Sequence, residues 1–181
     1  MKTIIVYNGK TGFTKRYADW IAKELKCSIL SYKDFTKKVI EENDIIIFGS
    51  RVHAGKIEHL KKIKSQFVNK SRQKLIVFAC GATPVFEKNT IDKIWANNLS
   101  ESEIKSIPHF YMQSGLNYER MGFLDRIIMK TVAKLMSKKQ NKTSEEAGFT
   151  QAVQSSYDIS SKEHILPLVN CVKGIINNKG K

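Results

Sequence analysis

Thr3-Ile4-Ile5-Val6-Tyr7-Asn8-Gly9-Lys10-Thr11-Gly12-Phe13-Thr14 is the stretch that decides the fold. Its first five residues are apolar or β-branched and read as a buried strand. From Thr14 to Leu25 the period changes. Tyr17, Ala18, Ile21, Ala22 and Leu25 recur at three- and four-residue spacing, which makes one apolar helix face. Asn8 to Thr14 is therefore a turn from a strand into a helix N-terminus. Such an N-terminus offers unpaired N–H groups and the positive end of a dipole, so it suits a phosphate. Gly9 and Gly12 allow close approach, Thr14 is placed to cap the helix, and Lys10 adds charge. An ordinary Gly/Thr turn would have the same composition. The loop lacks both G-x-x-x-x-G-K-[ST] and G-x-G-x-x-G, which argues against a nucleotide triphosphatase or a dinucleotide dehydrogenase.

Outward from that turn the alternation continues. Strands are expected at Thr3–Tyr7, Ser28–Ser31, Asp44–Gly49, Lys74–Ala79 and Pro108–Gln113. Ile45-Ile46-Ile47-Phe48 and Leu75-Ile76-Val77-Phe78 are apolar at every residue, as when both faces of a sheet are covered. Helices are expected at Thr14–Leu25, Ile57–Phe67, Ile91–Asn97, Leu124–Lys138 and Lys162–Asn177. Strands joined by crossover helices imply an α/β, doubly wound, five-stranded parallel sheet of order 2-1-3-4-5. Helices lie on both faces, and ligands bind beyond the carboxyl ends of the strands. The 181 residues read as one domain, with an added helical segment at about 115–150 after the fifth strand.

Bulk properties narrow the classes. The 41% hydrophobic content excludes general disorder, and no apolar run is long enough to span a bilayer. Met1-Lys2 leads directly into a strand, without a signal-peptide pattern. Cys27, Cys80 and Cys171 are few, odd in number and far apart, so reduced thiols in a cytoplasmic protein are expected. Cys80 reads as a small buried residue and not as a redox thiol. The histidines lack metal-ligand spacing. A net charge of +14 attracts anions of every kind without choosing among them. No nucleic-acid motif appears, and the basic clusters lack interleaved aromatics, so no nucleic-acid partner is expected.

Tyr7 to Thr14 resembles the flavodoxin phosphate loop, S/T-x-T-G-x-T, with Lys10 to Thr14 matching its second half. Asn8 and Phe13 depart from the usual Ser/Thr and Asn, but both leave backbone donors in place. The resemblance implies FMN, its phosphate held by Asn8, Gly9, Lys10, Thr11, Gly12, Phe13 and Thr14. It places the flavin ring between Ser50-Arg51-Val52-His53-Ala54-Gly55 and Cys80-Gly81-Ala82-Thr83. Flavodoxins flank the ring with aromatics; here only Phe86 is near, which implies a more exposed flavin or one facing a partner. His53 is read either as a hydrogen-bonding group for ring or substrate, or as a solvent-facing loop residue.

Gly115 to Lys130, with its Leu-x-Tyr-x-Arg, aromatic, Asp-Arg run, resembles the flavodoxin-type, quinone-linked protoporphyrinogen oxidase family. That resemblance implies a flavin-dependent oxidoreductase with a porphyrinogen substrate and a quinone or other redox partner. Tyr118, Arg120, Arg126, Lys130 and Lys134 would contact substrate or membrane, with Arg120 and Arg126 holding carboxylates. Asp125 would instead simply pair with a neighbouring arginine. Arg126, Lys130, Lys134 and Lys138 form a basic stripe beside an apolar one of Leu124, Ile127, Ile128, Val132, Leu135 and Met136. Such a helix either rests peripherally on the anionic inner face of the cell membrane or packs as a core helix with solvated charges. Lys138 to Lys142 is expected to continue as a polar loop. A flavodoxin-type electron carrier without its own substrate is the alternative function, although carriers that dock basic partners are acidic.

Overall fold

The computed structural model describes residues 1–67, 72–138 and 150–178, apart from the side chains of Leu124, Ile128, Val132, Leu135 and Met136. Lys139 to Lys142, and those five members of the expected apolar stripe, lie outside the described residues and side chains.

The elements run β1 (Thr3–Asn8), α1 (Phe13–Leu25), β2 (Ser28–Ser31), α2 (Lys37–Glu41), β3 (Ile45–His53), β4 (Lys56–Ile57), α3 (Leu60–Ser65) and β5 (Lys74–Gly81). They continue through α4 (Lys88–Ala96), α5 (Glu101–Ser106), β6 (His109–Gln113), β7 (Gly115–Leu116), α6 (Phe123–Ser137), β8 (Tyr157–Asp158) and a final helix, α7 (Leu166–Asn178). Five strands pair in parallel in the order β2-β1-β3-β5-β6. Without the two-residue β4, that is the expected 2-1-3-4-5 arrangement. The chain is a flavodoxin-like α/β fold.

Side-chain alternation divides the core between the two faces of the sheet. Ile5, Ile45, Ile47, Ile76 and Phe78 point toward α1 and α7, where Tyr17, Ile21, Leu168 and Val172 cover them. Val6, Ile46, Phe48, Val77 and Ala79 point the other way, under Ile40, Leu60, Ile63, Ile94 and Trp95. The Tyr17 hydroxyl ties α1 to the chain's end: it donates to the Gln113 carbonyl, accepts from the Ser161 N–H at 3.3 Å and lies 2.9 Å from His164 Nδ1. Burial pushes this phenol up to about 12.

Three local expectations change. Thr14 does not cap α1. Gly12, with φ +98°, is the N-cap and makes no side-chain cap bond, while Thr14 is buried one residue inside the helix. The left-handed glycine turns the chain into the helix two residues earlier than a Thr14 cap would. The segment after Gly49 is not an open loop. β3 continues to His53 and folds back as a hairpin onto β4, with Ala54 and Gly55 at φ +48° and +74°. Two successive positive φ values are what a two-residue hairpin turn requires. That hairpin takes Ile57 into a strand, so the following helix shrinks to Leu60–Ser65. Finally, α5 begins at a capping box in which Ser100 Oγ accepts from the Glu103 N–H and Glu103 accepts from the Ser100 N–H.

Beyond the sheet, β7 pairs antiparallel with β8. A β-carbon on Gly115 would fall 2.0 Å from the Tyr157 carbonyl oxygen, so the close pairing depends on glycine here. This two-stranded clip holds the segment that leads into α6 beside the main sheet.

Candidate functional site

At the carboxyl ends of β1, β3 and β5 lies a cleft of about 540 Å³, within the range of small-molecule sites. It opens where the strand order reverses between β1 and β3. Its walls include four segments that bear on the site. The β1–α1 turn contributes Thr11, Phe13 and Thr14; the β3–β4 hairpin contributes Arg51, Val52, His53, Ala54 and Gly55. The turn after β5 contributes Cys80, Gly81, Ala82 and Thr83, and α6 with the segment before it contributes Met121, Asp125 and Met129.

The first wall is prepared for an anion. Thr14 is packed against Gly9, where a β-carbon would come within 2.8 Å of Thr14 Oγ1, so the loop closes tightly on itself. No carbonyl or side chain among the described residues accepts from the backbone N–H groups of Lys10, Thr11, Gly12, Phe13 or Thr14 outside regular elements. Helix geometry leaves the first N–H groups of α1 without intrahelical acceptors as well. A cradle of free amides at a helix start fits a phosphate ester.

The second and third walls are narrow and backbone-rich. The turn after β5 is fixed from behind: the Tyr111 hydroxyl donates to the Thr83 carbonyl at 3.0 Å, and Gln113 Oε1 accepts from the Val85 N–H at 3.0 Å. Gly81 leaves room for that phenol, since a β-carbon there would lie 2.6 Å from the Tyr111 oxygen. The Cys80 thiol is buried, and burial drives its pKa upward, with Thr14 as hydrogen-bond partner. It is a packing residue and not a thiolate nucleophile.

Charge is concentrated at the hairpin. Arg51 donates to Glu58 Oε1 at 2.7 Å and to Asp125 Oδ2 at 2.9 Å, and its side chain is only 14% exposed. His53 Nε2 lies 2.9 Å from Asp125 Oδ1. Asp125 thus pairs with Arg51 across the cleft and binds α6 to the hairpin. The Arg51 hydrogen bond holds the Asp125 carboxyl below the ordinary range. Burial would raise Glu58, but the hydrogen bond and charge of Arg51, aided by Asn8 and Lys10, outweigh it and hold Glu58 low too. Two depressed carboxyls contribute stability that is present above the usual carboxylate range and lost as pH falls through their folded-state values. We therefore expect the native state to weaken below about pH 4. In Asp125→Asn that acid slope should be shallower, as measured by urea unfolding between neutral and acid pH.

Not every residue expected at the site reaches the cleft. Asn8 and Ser50 are register partners on β1 and β3, and their side chains turn to each other: Asn8 Nδ2 donates to Ser50 Oγ and to Glu58 Oε2, both at 3.1 Å. Gly9, Lys10 and Gly12 shape the loop without lining the cleft, and Lys10 is exposed. Tyr118, Arg126 and Lys130 flank a separate groove beside Val153 and Ser156. The Tyr118 hydroxyl is spent on the Val153 carbonyl at 2.5 Å, and Arg126 donates to the Glu119 carbonyl at 3.1 Å. Lys134 is exposed on α6. Arg120 lies instead against the β1–α1 turn, its Nη1 3.3 Å from the position of a β-carbon on Gly12. The sequence reading missed the contribution of Met121, Asp125 and Met129 to the cleft. Asp125 and Met129 are four residues apart on one face of α6, with Met121 just before the helix, but nothing local aims that face at a site 74 residues earlier in the chain.

A doubly wound parallel sheet of order β2-β1-β3-β5-β6, with a glycine-bearing strand-to-helix turn at its switch point, is the flavodoxin-like α/β architecture. A model of the flavodoxin domain matches residues 4–144, and the chain belongs to that family. A comparison with curated proteins returns no match. Among solved structures, a flavodoxin from the domain Archaea is 16% identical, covering 86% of this chain and 100% of its own, with a TM-score of 0.42. A WrbA-like flavodoxin from Agrobacterium tumefaciens is 14% identical over 84% of this chain and 95% of its own, with a TM-score of 0.40. Oxidised flavodoxin 2 from Bacillus cereus is 17% identical over 61% and 84%, with a TM-score of 0.42.

Proposed function

We propose that this protein binds FMN in the switch-point cleft and works as a flavin-dependent oxidoreductase. The observation that carries the reading is the free-amide turn at Lys10–Thr14 opening into a cleft walled by two backbone-rich loops. The turn would hold the phosphate, and the Val52–Gly55 and Cys80–Thr83 walls would hold the ring. Bound FMN supplies one- and two-electron chemistry; the chain's own residues position it and shape its surroundings. Arg51 and Asp125 neutralise each other across the cleft, which leaves no net charge from that pair against the ring. The depressed Asp125 carboxyl stays ionised at neutral pH, so it accepts hydrogen bonds and donates none.

The cleft has a further wall that is not assigned to the ring. Met121, Met129 and Leu116 give the cleft an apolar wall beyond the loops assigned to the ring. That wall favours an enzyme over a bare electron carrier. It suits an apolar two-electron donor of the porphyrinogen class and a quinone acceptor, the pairing that the Gly115–Lys130 resemblance implies. The exposed cations Arg126, Lys130 and Lys134, with Phe123 77% and Ile127 47% exposed on the same helix, favour peripheral contact with an anionic membrane. No helix of the described residues is long and apolar enough to cross a membrane.

The test is a visible spectrum of the purified protein after FMN is added and excess removed. Retained flavin bands, bleached by a porphyrinogen and restored by a soluble quinone, support the whole proposal. Retained bands that no porphyrinogen bleaches would leave the carrier reading in its place. A colourless protein would end the flavin assignment.

A further inference from the structure

We propose that Arg120 is a specificity-determining residue of the cofactor site: its guanidinium closes over the phosphate turn and selects a phosphorylated flavin over an uncharged one. This rests on the flavin reading above and assigns the segment between β7 and α6 a role in that site.

Position comes first. Arg120 is set by a turn in which its N–H donates to the Asn117 carbonyl at 3.3 Å and to Asn117 Oδ1 at 3.0 Å. That turn brings the side chain over the β1–α1 loop, where Gly12 has no β-carbon to hold it off; one placed there would be 3.3 Å from Nη1. The left-handed φ of Gly12 and the approach of Arg120 thus use the same missing side chain.

Charge points the same way. Three other cations around the turn are already matched. Lys15 pairs with Asp19 at 2.9 Å, Arg16 pairs with Asp158, and Arg51 holds Glu58 and Asp125. Arg120 makes no ion pair among the described residues. Lys10, on the turn itself, likewise makes no ion pair among the described residues, but its ammonium is a point charge without the fork of a guanidinium. A phosphate ester held only by amide N–H groups keeps nearly all its charge, and a guanidinium fork is the side chain best shaped to meet it. The sequence reading gave Arg120 to a substrate carboxylate; its place against Gly12 assigns it to the cofactor's phosphate.

The phosphate makes the test selective. The unaltered protein, Arg120→Ala and Arg120→Lys are each titrated with FMN and with riboflavin, following quenching of flavin fluorescence. In Arg120→Ala, FMN affinity should fall about ten- to a hundredfold, as for loss of a charge-assisted hydrogen bond. Riboflavin affinity should hold, and the salt dependence of FMN binding should flatten. Arg120→Lys should fall between, since it keeps the charge and loses the fork. Arg120 is exposed, and circular dichroism checks that each variant is folded. Equal weakening of both flavins would show a merely structural role and overturn the proposal. So would unaltered FMN affinity in Arg120→Ala, the result a substrate-carboxylate role would give. If the unaltered protein takes up neither flavin, the parent reading fails and carries this role with it.

Discussion

Replacing Gly12 with valine is expected to lower FMN affinity at least about a hundredfold while leaving the parallel sheet intact. Gly12 has φ +98°, a conformation that a β-branched residue reaches only under strain. It is the N-cap of α1, so relieving the strain rotates the first N–H groups of the helix away from their common focus. A valine side chain would also enter the space beside Arg120. Both changes strike the turn, and neither touches the strands. Fluorescence titration with FMN should therefore show the loss while far-ultraviolet circular dichroism stays near that of the parent. Unchanged affinity would mean that the phosphate is held elsewhere.

The largest effect on stability is expected at Gly49. It stands opposite Phe78 in the register of β3 and β5, and a β-carbon on it would lie 1.9 Å from Phe78 Cζ. The Phe78 ring is fully buried and covers the bare backbone of its neighbour on the sheet face shared with α1 and α7. Gly49→Ala forces that ring out of its place, and overpacking of this kind costs about 1–3 kcal/mol. Thermal or urea unfolding measures the loss. Pairing Gly49→Ala with Phe78→Leu should recover part of it, because the two residues share one space and their effects do not add. Additive losses would show that the clash is not the cause.

The sheet was legible because its strands are nearly uninterrupted apolar runs, and only burial on both faces explains Ile45 to Phe48 and Leu75 to Phe78. The phosphate turn was legible because strand and helix periods meet at Asn8–Thr14 with two glycines between them. The end of β3 was not, because Ala54 is an uncommon residue at a positive φ and gives no hairpin signature. The start of α5 could have been read from Ser100 and Glu103, whose spacing is that of a capping box. At the site, composition pointed to the hairpin and the turn after β5, but side-chain direction escaped it. Asn8 and Ser50 face each other because of a strand register set 42 residues apart. The Arg51–Asp125 link, which brings α6 over the cleft, is likewise a tertiary fact with no local trace.

The central claim is that the amides of Lys10 to Thr14 grip the phosphate of FMN. Amide chemical shifts, recorded by nuclear magnetic resonance as FMN and then riboflavin are added to the labelled protein, address it most directly. The account predicts that FMN moves the resonances of Lys10, Thr11, Gly12, Phe13 and Thr14 most, and that riboflavin leaves those five nearly in place while still perturbing Val52–Gly55 and Ala82–Thr83. Shifts centred elsewhere, or the same response of the turn to both flavins, would contradict it.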